Sequence, residues 1–92
     1  MHRKAICKQH KETKVEYEVY LRHGYEEGEF YVDVRKDIVD SDGDVVNGGE
    51  YIEGEIFDHY NKAGERFLQF AMQYEETGDR VNIYNDVEDD RD

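Results

Sequence analysis

The stretch from Lys14 to His23, KVEYEVYLRH, alternates strictly, with Val15, Tyr17, Val19 and Leu21 on one side and Glu16, Glu18, Tyr20 and Arg22 on the other. A period of two is the signature of a strand with one buried face, so any fold for this chain must supply a layer that covers those four apolar residues. The following GYEEG, residues 24–28, offers two glycines and two acids for a turn. EFYVDVR then repeats the alternation with Phe30, Val32 and Val34 inward, which predicts a second, antiparallel strand. Ile38 and Val39 mirror Val45 and Val46 across DSDG, and Asp42-Gly43 between β-branched residues predicts a hairpin closed by a type I′ turn. Asn47-Gly48-Gly49 is read as the end of that third strand.

Residues 50–57, EYIEGEIF, are ambiguous. They alternate well enough for an edge strand, yet Ile52 and Ile56 also continue a helical stripe through Tyr60, Ala63, Phe67, Phe70, Ala71 and Tyr74. From Asp58 onward helix is favoured, since no β-branched residue occurs between Asp58 and Glu76 and good helix formers dominate. Asp58 is placed as the cap and Gly78 as a left-handed stop. The rival is a hairpin turning at residues 61–64. RVNIY, residues 80–84, reads as a last short strand.

These elements predict an α+β fold: a small two-layer domain, an antiparallel sheet of three to five strands with one helix packed on one face. An all-β meander is the alternative. Residues 1–13 are expected to form a basic, flexible arm, 14–85 a single domain, and 86–92 an acidic, frayed tail. There is no proline and no internal repeat.

No apolar run approaches the roughly 20 residues that span a bilayer, and MHRKAICKQHK lacks the apolar core of a signal peptide. One cysteine, Cys7, forms no internal disulfide, in agreement with a reducing compartment. The expectation is a cytoplasmic protein. Charge narrows the partners further. Residues 1–14 carry Arg3, Lys4, Lys8, Lys11 and Lys14 against Glu12, whereas the rest is strongly acidic and the whole chain stands at −12. Such a body repels nucleic acid and anionic membrane, which bind through Lys and Arg, and its natural partners are basic surfaces.

DSDGD, residues 40–44, invites a calcium reading. An EF-hand loop needs ligands at its first and twelfth positions and Gly at the sixth. With Gly43 sixth, Ile38 and Gly49 occupy the ends. With Asp40 first, Val45 falls where Gly belongs and Tyr51 is twelfth, so neither register works. A site of another kind, from Asp40, Asp42, Asp44 and Glu50, stays open. So does a zinc site through His2, Cys7 and His10, although structural zinc takes four ligands on ordered backbone. Catalysis has less support: no phosphate loop, Ser-centred elbow or HExxH occurs, and the acids fall on polar faces and turns.

The strongest functional signal is a surface. No Lys or Arg occurs from Asp37 to Asn61, while Asp37, Asp40, Asp42, Asp44, Glu50, Glu53, Glu55 and Asp58 supply carboxylates and Tyr51 an aromatic. Acids that only confer solubility would be interspersed with lysine, because like charges crowded together weaken a fold. On a strand, i and i+2 side chains stand about 6.6 Å apart, so Asp40 with Asp42, or Glu53 with Glu55, would form short carboxylate rows. DNA also presents dense rows of negative charge. These nine residues are the candidate partner-binding site.

In size, acidity and tyrosine content the whole chain resembles the small phage-encoded inhibitors of host defence, the anti-restriction and anti-CRISPR proteins, some of which mimic nucleic acid. The resemblance carries over no individual residue. It implies an inhibitor in the host-cell cytoplasm that occupies the basic nucleic-acid-binding groove of a nuclease or surveillance complex. The basic first fourteen residues depart from a uniform mimic. The protein is expected to need no cofactor, to have no catalytic residue and no direct contact with nucleic acid or membrane, and to be a monomer or homodimer. A metal-binding structural or interaction module (Ca or Zn) is the alternative function, and a small enzyme the second.

Overall fold

Four strands and one helix realise the alternating pattern as β1 (Thr13–His23), β2 (Phe30–Asp40), β3 (Val45–Phe57), α1 (Tyr60–Thr77) and β4 (Arg80–Asn85). The structure, a computed structural model, describes residues 12–87. The sheet order is β3-β2-β1-β4. Both hairpins are antiparallel, as the sequence predicts, but β4 lies parallel to β1, with Tyr17 beside Val81 and Val19 beside Ile83. The sheet is therefore mixed. The cause is the helix: leaving β3, α1 crosses the sheet and returns the chain in the direction from which β3 started, as a parallel crossover requires.

One face of α1 explains the core. Tyr60, Ala63, Phe67, Phe70 and Tyr74 recur at three- and four-residue spacings, and all but Tyr60 are fully buried. They pack on Val19, Leu21, Val32 and Val34, the inward residues of β1 and β2. Tyr17 closes one end against Tyr74, with ring centroids 4.6 Å apart, and Phe30 the other against Tyr60 at 5.7 Å. Val87 joins this cluster at 4% exposure, and the Asp86 N–H donates to the Leu21 carbonyl, so the packed body extends beyond residue 85. The expectations for residues 1–11 and 88–92, including the zinc ligands His2, Cys7 and His10, lie outside the described residues. Among the described residues no helix is long and apolar enough to cross a membrane.

Five local expectations are corrected. β3 does not stop at Asn47-Gly48-Gly49 but runs on to Phe57, so residues 50–57 are strand and Ile52 and Ile56 belong to the sheet rather than to the helical stripe. It accommodates the glycines by slipping register against β2 at three places. At one of them Gly49 takes φ +74 and the Asp37 carboxylate accepts its N–H at 2.7 Å, a bulge in which two residues of β3 face one of β2. The turn at Asp42-Gly43 is not type I′, because only Gly43 has positive φ. Gly43 N–H donates to the Asp40 carbonyl and Asp40 N–H to the Asp44 carbonyl, giving a three-residue loop whose last residue is left-handed. Asp58 does not cap α1; His59 precedes the helix and makes no side-chain cap. Finally, Gly78 is extended, at φ −105, and its value is room: a Cβ there would meet the Tyr17 ring at 2.6 Å.

Phe70, 1% exposed, sits at the centre of the helix–sheet contact. Phe70→Ala is expected to cost about 3–5 kcal/mol, lowering Tm by roughly 15–30 °C in a domain of this size. Leu68→Ala, on the solvent side of the same helix at 57% exposure, should shift Tm by only a few degrees. Thermal melts followed by circular dichroism measure both.

Candidate functional site

The nine residues singled out from the sequence do not form one strip. Three gather at the tip of the β2–β3 hairpin, where every residue from Ser41 to Tyr51 is exposed. Oxygen atoms of Asp40, Asp42 and Asp44 lie within 4.8 Å of one another. The loop itself produces this: Asp40 Oδ1 accepts the N–H groups of Asp42 (2.9 Å) and Asp44 (3.0 Å), which folds the acidic residues back over their own turn. Behind the tip stand Asp37, which accepts from Gly49, and Glu50, exposed and paired in register with Lys36. This is the one place among the described residues where three metal-ligating side chains converge. Calcium takes 6–8 oxygen ligands, and Asp40 already spends an oxygen on two backbone donors.

The remaining predicted residues face elsewhere. The bulge at Ile52 shifts the register between Val34 and Arg35 and turns Glu53 and Glu55 toward the helix side. There Glu53 accepts a short hydrogen bond from the Tyr74 hydroxyl, and Glu55 accepts from Arg66 Nε at 2.8 Å. Burial, and then the bond to Glu53, push the Tyr74 phenol up to about 12. Asp58 stands at the entry to α1, 3.8 Å from His59. Tyr51 lies on the opposite face of the sheet.

That opposite face, which no helix among the described residues covers, carries the feature that the sequence reading missed. Its centre is Asp33, on the polar side of β2 yet 0% exposed. Arg22 Nη2 donates to both of its oxygens, at 2.9 and 3.1 Å, and Arg35 Nε donates at 3.0 Å. Each guanidinium also lies over a tyrosine, Arg22 over Tyr20 at 4.4 Å and Arg35 over Tyr51 at 5.6 Å. Tyr20 stacks on Tyr84 with centroids 5.0 Å apart. Tyr31 donates to the Tyr51 hydroxyl at 3.2 Å, and the two hydroxyls meet above Gly54, where a Cβ would stand 2.6 and 2.8 Å from them. The bond to Tyr51, and then burial, push the Tyr31 phenol up to about 12. Between these side chains and the β1–β2 loop lies a cavity of about 580 Å³, walled by Arg22, Tyr25, Tyr31, Arg35, Tyr51 and Ile56 among others.

Toward the hairpin end the same face turns acidic. Glu16 and Asp37 are cross-strand partners, and Glu18 follows. Burial, and then the charge of Asp37 beside it, raise the Glu18 carboxyl above the ordinary carboxylate range. A signal for this face does exist in the sequence: beyond Glu16 and Glu18, the outward positions of β1 and β2 hold Tyr20, Arg22, Tyr31, Asp33 and Arg35, an alternation of aromatic and arginine that an ordinary solvated face lacks.

The arginine pair and its aspartate are unequal partners. Replacing Arg22 and Arg35 together by Ala leaves a buried charge without a counter-charge, at an expected cost of about 3–5 kcal/mol. Asp33→Asn strands two guanidinium groups that still reach water, so about 1–3 kcal/mol is expected. Urea titration separates the two. Alkaline pH tests the tyrosines. The folded state holds the Tyr74 proton more tightly than the unfolded chain, so this group's stabilisation is complete below pH 10 and is lost as pH rises toward about 12. Tyr74→Phe should remove part of the fall in Tm over that window.

No protein-family model, no curated protein and no solved structure matches the chain.

Proposed function

We propose that the protein is an acidic inhibitor that occupies the basic nucleic-acid-binding surface of another protein, such as a nuclease or surveillance complex of a host defence system, and so excludes the polynucleotide. One observation carries this reading: Asp40, Asp42 and Asp44 converge within 4.8 Å at an exposed hairpin tip, in a stretch from Asp37 to Asn61 without Lys or Arg. Each pair of like charges at that range repels by about 1 kcal/mol even in water. Asp40 accepts the turn's backbone donors from Asp42 and Asp44. Crowding of the three carboxylates is a cost that a Lys/Arg groove would reverse, since a basic partner gains from each carboxylate what it gains from a phosphate. Glu53 and Glu55, held by Tyr74 and Arg66, belong to the fold and not to this surface.

The test is charge reversal at the tip with the turn kept: Asp42→Lys together with Asp44→Lys, Asp40 unchanged. With the wild-type chain as bait in lysate of the native host, the captured proteins should be nucleic-acid-binding and should be displaced by duplex DNA. Capture should weaken steeply between about 50 and 200 mM salt. The double variant should capture none of them while its circular dichroism stays folded. Capture that survives the reversal, or that DNA does not displace, overturns the proposal.

A further inference from the structure

The face of the sheet opposite α1, uncovered among the described residues, has a polarity along the strands. Its successive cross-strand rows are Arg80 with Glu16 and Asp37, Asn82 with Glu18, Arg35 and Tyr51, Tyr84 with Tyr20 and Asp33, and Arg22 with Tyr31 and Ile56. Rows of this kind stand about 6.6 Å apart, so along β1 and β2 the face passes from the carboxylates of Glu16 and Asp37 to the Arg22 guanidinium over roughly 20 Å. The Arg22 end is concave, with the cavity of about 580 Å³ that Glu29 also lines, and at the other end Glu16 and Asp37 face each other across β1 and β2 with Arg80 beside Glu16 on β4. Asp33 fixes both guanidinium groups in advance, which lowers the entropy lost when they meet a partner. Tyrosine and arginine are the residues enriched at interface cores and lysine is depleted there; Tyr20, Tyr31, Tyr51, Tyr84, Arg22 and Arg35 are grouped on this face.

We propose that this face is the contact between two copies of the chain, packed sheet against sheet about a two-fold axis that lies in the contact plane, perpendicular to the strands. Charge order selects that axis. Rotation about it reverses the rows, so Glu16 of one copy meets Arg22 of the other, Asp37 approaches Tyr31 and the cavity beside it, and each contact occurs twice, as an isologous interface demands. An axis parallel to the strands would instead set Glu16 and Asp37 against their own copies, where like charges repel. Four strands about 4.8 Å apart and four rows give a footprint of about 500 Å² per copy, at the small end for a specific interface, so the dimer belongs with the weak, concentration-dependent associations. Repulsion between two chains of −12 is screened beyond about 8 Å at physiological ionic strength and leaves the contact pairs in force. The hairpin tips point away from each other in this arrangement. The contact does not depend on what those tips bind.

Sedimentation velocity of the full chain from about 1 to 300 µM tests it, with the mass expected to rise with concentration from 11.0 kDa toward twice that value, as a weak interface of this size requires. Glu16→Arg and Arg22→Glu should each hold the protein at the monomer mass throughout. Mixing those two single variants should restore the dimer, because every Glu16–Arg22 contact in the mixed pair is again between opposite charges. Ile56→Glu, at a residue 59% exposed and outside the Asp33 network, should also give a folded monomer and serves where Arg22→Glu does not fold. A monomer at every concentration overturns the proposal. So does a dimer indifferent to Glu16→Arg and Ile56→Glu, which would point to edge pairing through β3 or β4.

Discussion

One helix of 18 residues is the only cover that the four strands receive among the described residues, and this shortage of cover organises the molecule. The apolar side chains suffice for one face. Val19, Leu21, Val32 and Val34 meet Ala63, Phe67, Phe70 and Tyr74, and a second apolar layer would have been left bare to water. The other face is built from groups that tolerate both water and contact. Guanidinium groups lie over tyrosine rings, and one buried carboxylate fixes their positions.

The register of β3 then decides what each acid can do. Three slips against β2 break the period of two, so residues that a regular strand would place in one row are sent to different sides. Tyr51 goes to the open face. Glu53 and Glu55 go to the helix, where Tyr74 and Arg66 hold them, while Asp40, Asp42 and Asp44 gather at the tip. The same bulges twist and blunt an exposed edge strand of 13 residues, which regular pairing would leave open to association with other strands.

How far the sequence spoke follows from where its periods stay intact. β1, β2 and α1 were legible because their patterns run unbroken, and the helix–sheet core follows from those patterns alone. β3 was not, because bulges scramble alternation, and EYIEGEIF accordingly matched two templates at once. The direction of β4 was hidden as well, since a six-residue strand carries no mark of whether its neighbour runs parallel. At the tip, the cluster of carboxylates was visible in DSDGD, but the turn geometry was not, because Asp40 satisfies the loop's N–H groups with its side chain and leaves Asp42 outside the left-handed region. Asp33 was the deepest omission. Alternation assigns it to the polar side correctly, yet nothing local says that Arg22, eleven residues away, and Arg35 will seal it from water.

Why the open face should keep a buried ion group at all is answered by the alternative. An apolar residue at position 33 would avoid the desolvation of a carboxylate, and exchanges of that kind are often neutral or stabilising. It would also release Arg22 and Arg35 from their only shared anchor, and the long side chains would regain rotamers worth roughly 1–2 kcal/mol each. The tyrosines that they cover would then stand as a loose aromatic patch of no fixed outline, prone to unselective contact. With Asp33 in place the same atoms form a surface of defined shape and a defined charge order, from Glu16 to Arg22, that distinguishes one orientation of a partner from its reverse. Stability given up at one buried carboxylate is thereby exchanged for selectivity across the whole face.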